Sequence, residues 1–408
     1  MAQTPAANPG GGRLSPGFLF FLWTRMLATA ANQVLLVALA WQMYDLTGSA
    51  WDLGLVGLLQ FGATFALTIP SGHLADRFDR RRVMGAAIAL QAAVAVLLAW
   101  SSAAHWVDRE LILANCVLLG IVRALQTPAQ QAIVPALVEA GQLARAMALS
   151  SAVMKVAVVA GPALGGFIYA LGPAWAYGMC VAILVAAFVC VSSIPHVPII
   201  QSKEPASWTS MFAGFGFIFQ KPVVLGAISL DLFAVVLGGA TALLPIYAKD
   251  ILHTGPWGLG LLRAAPAVGA LVLGAWIARY PIERHVGRKL FMAVAIYGIS
   301  ILVFAFSGSF ALSLAALAVS GAGDMVSVVV RQTLVQVETP DAMRGRVSAV
   351  NAVFISTSNQ LGEFRAGATA AWLGPVGSVV FGAVGTLIVV AAWMRLFPGL
   401  RRRDRLLD

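Results

Sequence analysis

Long apolar runs alternate along the chain with short polar segments. Crossing the hydrocarbon core of a bilayer takes about 20 mostly apolar residues in a helix. Twelve stretches meet or approach that length: 17–44, 53–74, 83–104, 110–132, 142–170, 174–195, 222–248, 257–279, 289–306, 310–332, 344–371 and 375–396. The alternating ten-residue strands of a membrane barrel are absent, and lipid obliges each span to satisfy its own backbone groups, so the pattern predicts helices. The expected class is an all-α membrane protein with 12 transmembrane helices. The longest internal polar segment, "PHVPIIQSKEPASW" at 195–208, separates six spans from six. The expected organisation is an N-terminal tail over 1–16, a six-helix bundle over 17–195, a linker over 196–221, a second bundle over 222–396 and a basic tail over 397–408.

The two sets of spans repeat each other. At a shift of 201, Gly120 meets Gly321, Gln131 meets Gln332, Val134 meets Val335, Arg145 meets Arg346 and Gly161 meets Gly362. Earlier in each half, "WDLGL" at 51–55 meets "WGLGL" at 257–261. Two parallel six-helix halves are a transporter plan, with the substrate site between them near the middle of the membrane.

Composition agrees with a lipid environment: of 408 residues, 60% are hydrophobic and 11% charged, against roughly 45–50% and about 25% in a soluble domain. A net charge of +10 suggests nucleic acid in a soluble protein. Here the bases sit between apolar runs and report orientation instead. With the N-terminus cytoplasmic, 19 of the 27 bases fall on the cytoplasmic side and only Arg109 and Lys249 on the other, the remaining six lying within spans. The expectation is a multi-pass protein of the bacterial inner membrane with both termini cytoplasmic. No cleavable signal peptide is expected, the first apolar run reading as the first span. Cys116, Cys180 and Cys190 all lie in apolar runs and suggest neither a disulfide framework nor a metal site.

The ionisable residues inside the spans form a second pattern. They are Arg25, Arg123 and Lys155 in the first half, and Asp231, Arg263, Asp324, Arg331, Glu363 and Arg365 in the second. Spans 3, 6, 9 and 12 carry none in their interiors. A charge in lipid costs roughly 2.5–3.5 kcal/mol or more, so these four spans are free to face lipid while the other eight surround something polar. Six bases against three acids make that interior net positive, which favours an anionic or phenolic substrate. Asn32 and Gln33 lie one to two turns deeper than Arg25 in the first span and are added to the candidate pathway. Asn359 and Glu363, four apart, share a helix face.

Three motifs carry a resemblance. "GHLADRFDRR" at 72–81 resembles the loop between helices 2 and 3 of the major facilitator superfamily: Gly, three residues, Asp-Arg, one residue, Gly, two bases. Gly72, Asp76, Arg77, Arg80 and Arg81 match, and Asp79 stands where the family has Gly. The resemblance implies the major facilitator fold, with two pseudo-symmetric halves, and a cytoplasmic gate in which Asp76 faces the start of the eleventh helix near Arg344 and Arg346. The plainer reading is a positive-inside loop. "AVVAGPALGG" at 157–166 resembles the helix-5 signature of the superfamily's exporters, through Gly161, Pro162, Gly165 and Gly166, with Ala157 replacing the first Gly. "GIVRALQTPAQQAIVPALV" at 120–138 looks like the fourth helix of a bacterial subgroup that includes enterobactin exporters and macrolide efflux proteins. Lys155 departs from that subgroup, where Asn is expected.

The function expected is secondary active export of a small organic molecule by alternating access, coupled to proton entry. An anionic or catecholate siderophore is the preferred substrate, broad drug efflux the alternative and a sensor without transport a lesser one. Among the intramembrane carboxylates, Asp324 is the first proton-coupling candidate and Asp231 the second. Asp324 is the repeat mate of Arg123, and opposite charges at matched positions suggest pairing across the cavity. No enzyme is expected. The five histidines lie in loops or at span ends, away from Cys or Asp at ligand spacing, and no Gly-rich phosphate loop with Lys is present. The expected partners are the small-molecule substrate, protons and the lipid bilayer, with no nucleic acid, metal or cofactor, and the chain is expected to act as a monomer.

Overall fold

The protein's architecture, a computed structural model, is described for residues 14–195 and 215–405. The first 13 residues, most of the central polar segment and the last three residues lie outside the described residues. α1 (Pro16–Thr47) starts where the Ser15 hydroxyl accepts from the Phe18 N–H and Pro16 fills the first position, which has no helical partner for an N–H. Gly48, at φ 60°, ends it in the left-handed conformation that a Cβ disfavours. Ser49 then caps α2 (Ala50–Arg77). α3 (Arg80–Ala103), α4 (Arg109–Leu137), α5 (Leu143–Tyr169) and α6 (Pro173–Ser192) complete the first half.

The second half repeats the order. α7 is broken: its α-helical part, Pro222–Gly238, continues through a 3₁₀ turn at Thr241–Leu243 and a π turn at Tyr247–Ile251. α8 (Gly255–Arg279), α9 (Val286–Phe306) and α10 (Phe310–Glu338) follow. The helical run Asp341–Leu396 is 56 residues long, about twice a span, and is interrupted at Gly374, with φ 73° and ψ 167°, immediately before Pro375. It therefore holds two spans, α11 (341–373) and α12 (375–396), and the count among the described residues is twelve, as the hydropathy pattern predicts. A short α13 (Pro398–Arg402) closes the described chain. The largest differences from expectation are at α4 and α10, which run on to Leu137 and Glu338. Hydropathy reports only the lipid-buried part of a helix, and these two extend past it. The expected linker also ends in helix, at residues 215–220, where Phe215 packs edge-on against Phe354 at 5.4 Å.

Within the first half α1 packs on α5 and α6, α2 on α4, and α3 on α4 and α6; the second half repeats these pairings. The halves meet through α5 against α8 and α2 against α11. α3, α6, α9 and α12 lie outside that seam. On α9 the exposed residues Met292, Ile296, Ile299, Val303 and Phe306 recur every three or four positions, a stripe with no polar member. Such a surface is suited to acyl chains, and it lies on one of the four spans that carry no internal charge.

Candidate functional site

The helix-5 motif faces two ways. A Cβ on Gly161 would lie 2.6 Å from Gln33 Cβ, and one on Gly165 would lie 3.0 Å from Val34 Cα, both on α1. One on Gly166 would lie 2.5 Å from the Pro256 carbonyl and 2.9 Å from Gly260 Cα on α8, across the halves. A Cβ on Gly260 would in turn lie 2.5 Å from the Pro162 carbonyl. The symmetric seam repeats this: a Cβ on Gly362 would lie 2.8 Å from the Val235 carbonyl on α7, and one on Gly367 would lie 2.6 Å from Gly54 Cα, where α11 packs on α2. Without side chains the backbones approach closely, which is how helices associate in lipid. These contacts lie at the face away from the termini. There Lys249 also pairs with Asp45, and the Tyr44 hydroxyl donates to Asp250, joining α1 to α7.

Inside the second half, α7 to α11 enclose a cavity of about 200 Å³ lined by Asp324, Arg263, Tyr297, Asn359, Ser320 and Thr241 among others. The break in α7 makes room for it. The carbonyls freed by the break are taken up by Arg365 on α11: its Nε donates to Val236, and its Nη2 to Leu237 and, at 3.1 Å, to Gly239. Asp231 sits elsewhere. It forms a buried ion pair with Arg331 at 3.1 Å, accepts from the Ser327 hydroxyl at 3.4 Å, and Arg331 Nη1 donates to Asn351 Oδ1 at 3.0 Å. Asp324, Ser327 and Arg331 recur at three- and four-residue steps and so share one face of α10.

At the seam, Arg263 on α8 donates to the Leu36 carbonyl on α1 at 3.2 Å and lines the cavity. Glu363 on α11 interacts electrostatically with Arg263 and with Arg123 of the other half. A Cβ on Gly57 of α2 would lie 3.0 Å from Glu363 Oε2. With the Gln360 amide turned to suit its neighbours, its nitrogen donates to the Gly57 carbonyl at 3.2 Å and its oxygen accepts from Arg123 Nη1 at 3.0 Å. The partner found for Arg123 is thus Gln360 rather than Asp324, its formal repeat mate. Arg25 bonds within its own half, to the Ser150 hydroxyl and to Met154 Sδ on α5, and its Nε is buried without a partner. Asn32, Gln33 and Lys155 are partly exposed, on α1 and α5. Of the nine charged residues, Arg331, Arg365 and Asp231 are engaged in the contacts just described, which leaves four bases and two acids.

At the termini face the "GHLADRFDRR" turn makes bonds within the first half. Asp79 caps α3, accepting from the Arg81 N–H at 2.9 Å, and its φ of −56° needs no glycine. Asp in place of the family's Gly therefore supplies a helix cap without strain. Arg80 donates to the Ala132 carbonyl on α4, and Arg81 to the Ile194 carbonyl beyond α6, both at 2.8 Å. Gly72 is in α2, which ends at an exposed Arg77. The side chain of Asp76 lies outside the described residues. Sequence reasoning missed Gln360, Tyr297 and the pairing of Arg331. The α10 spacing of Asp324, Ser327 and Arg331 was the available signal for the last of these. The other two are neutral residues that become notable only once tertiary packing sets their neighbours.

The family model of the Major Facilitator Superfamily matches residues 21–362. Among curated relatives, the enterobactin exporter EntS of Citrobacter koseri is 28% identical over 394 residues, covering 95% of this chain and 93% of that one. EntS of Escherichia coli O1:K1 is 27% identical over the same length, with the same coverage. Among solved structures, a bacterial homologue of the human lysosomal transporter Spinster, inward-facing and unoccupied, superposes with TM-score 0.74 at 15% identity, covering 95% of this chain and 98% of that one. A POT family transporter in complex with 5-aminolevulinic acid gives TM-score 0.74 at 12% identity, covering 94% of this chain and 96% of that one. Matched along most of its length by the family model and sharing the fold of solved transporters, the chain is a multi-pass membrane protein that belongs to the Major Facilitator Superfamily.

Proposed function

We propose that this protein is a secondary active exporter that moves a small organic anion, by preference a catecholate siderophore, out of the cell in exchange for protons. The observation that carries this reading is the placement of charged groups at the seam: Glu363 against Gly57 of the other half, Arg123 bonded across to Gln360, and Arg263 bonded across to the Leu36 carbonyl. The enterobactin exporters among its relatives support the choice of cargo. The chain is placed in the bacterial inner membrane with both termini in the cytoplasm. The clasped face is then periplasmic, and the arrangement faces inward. Movement of the halves about the glycine seams opens the other face, and Asp76, Arg77 and the start of α11 form the cytoplasmic gate. The transport path lies within one chain, which acts as a monomer.

Asp324 is assigned the proton. A cavity of about 200 Å³ is smaller than the roughly 300–1,000 Å³ of typical organic-ligand pockets and is large enough for several waters. It suits a wet carboxylate rather than the cargo, which is assigned to the cleft bordered by Arg25, Asn32, Gln33, Arg123 and Lys155. Asp231 is not assigned the proton, because its carboxyl is committed to the buried contacts with Arg331 and Ser327 and does not line the cavity.

The test is secretion from cells that make a catecholate siderophore and lack their own exporter. Expression of this protein is expected to restore secretion, and Asp324→Asn to return it to the level of empty membranes while cargo binding persists. Failure of the parent protein to restore secretion, with protection against several unrelated drugs, would replace this reading with broad efflux. Unchanged proton coupling in vesicles of Asp324→Asn would remove Asp324 from the role.

A further inference from the structure

We infer that the basic tail forms an anion site at the termini face, built to hold a phosphate group, with an anionic phospholipid headgroup as the ligand its position favours. A cavity of about 430 Å³ lies between the start of α9 and α13. Its wall carries four arginines, Arg288, Arg401, Arg402 and Arg403, together with His285 and Asp404.

The site rests on a fixed scaffold. Leu400 is 1% exposed and belongs to the core cluster containing Val286, Leu290 and Ala227. Gly287 passes so close beneath the tail that a Cβ there would strike the Leu400 and Arg401 carbonyls. The first N–H groups of α9 are already satisfied: Val286 donates to the Asp404 carbonyl at 3.2 Å and Gly287 to the Arg403 carbonyl at 3.0 Å. Asp404 also accepts from the His285 N–H at 3.1 Å, and Arg403 pairs with Glu338 on α10 at 2.9 Å. The helix terminus and the two acids are therefore engaged. Among the described residues, Arg288, Arg401 and Arg402 have no carboxylate partner, and all three are exposed around the cavity.

Planar guanidinium groups suit phosphate oxygens, which they bind bidentately. The site also lies where hydrocarbon gives way to water. Leu396, one turn before α13, is 66% exposed, and α12 ends there. Basic pockets between spans at this level recognise anionic headgroups. The inference does not depend on the transported substrate.

The full-length protein in nanodiscs is the material for the test. Native mass spectrometry should show retention of phosphatidylglycerol or cardiolipin over phosphatidylcholine. Each lost guanidinium should weaken retention about fivefold, and R401Q/R402Q together about twenty-fivefold. R288Q, on a different element, guards against a folding artefact, and equal thermal unfolding in neutral lipid confirms that the double variant is folded. A second arm titrates inorganic phosphate into lipid-free detergent. Saturable phosphate binding without lipid discrimination supports the phosphate site and assigns free phosphate as its source. Retention of anionic lipid that millimolar phosphate does not displace assigns the headgroup. Equal retention of both lipid classes with no phosphate binding, or variants indistinguishable from the parent, overturns the inference.

Discussion

Arg25 and Asp231 each stand tenth in their helix, counting from Pro16 in α1 and Pro222 in α7. Arg25 bonds to neutral groups, Ser150 and Met154, on α5. Asp231 has drawn in Arg331, which reaches on to Asn351, the repeat mate of Ser150 at the 201 shift. The position matched to Arg331 in the first half is Gln130. One scaffold position thus carries opposite charges, and the acid has acquired a buried counter-ion that the base does without. A carboxylate has only oxygens to offer and needs donors around it, whereas a guanidinium can bond any acceptor, including a sulfur or a hydroxyl. The same contrast recurs in the backbones: α1 is continuous for 32 residues, while α7 breaks after Gly238 and relies on Arg365 to take up its freed carbonyls. The second half holds all three intramembrane carboxylates and the irregular backbone that gives one of them, Asp324, space.

Removing the counter-ion should separate the halves most clearly. Arg331→Leu leaves Asp231 buried and unpaired, and breaking a buried pair in this way costs about 3–5 kcal/mol. Arg25→Leu loses one charged bond to the Ser150 hydroxyl, worth about 1.5–3 kcal/mol at most, and a weaker one to the Met154 thioether, and leaves behind no buried charge. Denaturant unfolding in mild detergent should place Arg331→Leu well below Arg25→Leu. Asp231→Asn combined with Arg331→Gln should recover most of the difference. Equal losses in the two single variants would show that the ion pair is not what distinguishes the halves.

The two kinds of glycine contact offer the next test. Gly367 meets α2 across the seam, and Gly362 meets α7 within its own half, both against backbone that cannot rotate away. Overpacking costs about 1–3 kcal/mol in either place, but the halves can part at the seam and cannot within a bundle. Gly367→Val should therefore keep its unfolding midpoint while spin labels on α2 and α11 move apart at the far face. Gly362→Val should lower the midpoint and leave the label distances alone. If Gly367→Val unfolds as readily as Gly362→Val, the seam is a fixed interface rather than a hinge.

The twelve spans were legible because lipid imposes one rule on every residue of a span, and a repeat at constant shift exposes the pairing of halves. Even the unpunctuated run from α11 to α12 was divisible, since Gly374 and Pro375 mark the break. The site was legible in its ingredients but not in its pairings. Asp231, Asp324, Arg331 and Glu363 stood out as charges in apolar runs, yet which carboxylate met which base depended on helix rotation and on the break in α7. A shift of 201 aligns α4 with α10, but α1 and α7 begin 206 apart, the offset at which "WDLGL" meets "WGLGL", so the equivalence of Arg25 and Asp231 emerges only when the early spans are aligned at that second shift. Asp79 illustrates the converse: a departure from the family pattern that raised a question about the turn is resolved by its negative φ and its bond to the Arg81 N–H.

The smallest effect should come from the ion pairs at the far face, where an exposed pair and one with a buried acid differ in what they join. Lys249 and Asp45 link α7 to α1 across the halves, with side chains 37% and 56% exposed. Arg109 and Asp52 link α4 to α2 within the first half at 2.7 Å. Exposed pairs contribute about 0.2–1 kcal/mol, enough to shift a two-state population by up to about fivefold. Lys249→Gln should therefore favour opening of the far face modestly, read as faster labelling of a cysteine placed at Thr47, partly exposed at the end of α1, on a background lacking the native cysteines. The gain should shrink in high salt, which screens the pair in the parent protein as well. Arg109→Gln should leave the labelling rate unchanged, because its pair stays on one side of the seam whichever way the halves rock. A comparable acceleration from Arg109→Gln would mean that far-face charge alone, and not the link between halves, controls the opening.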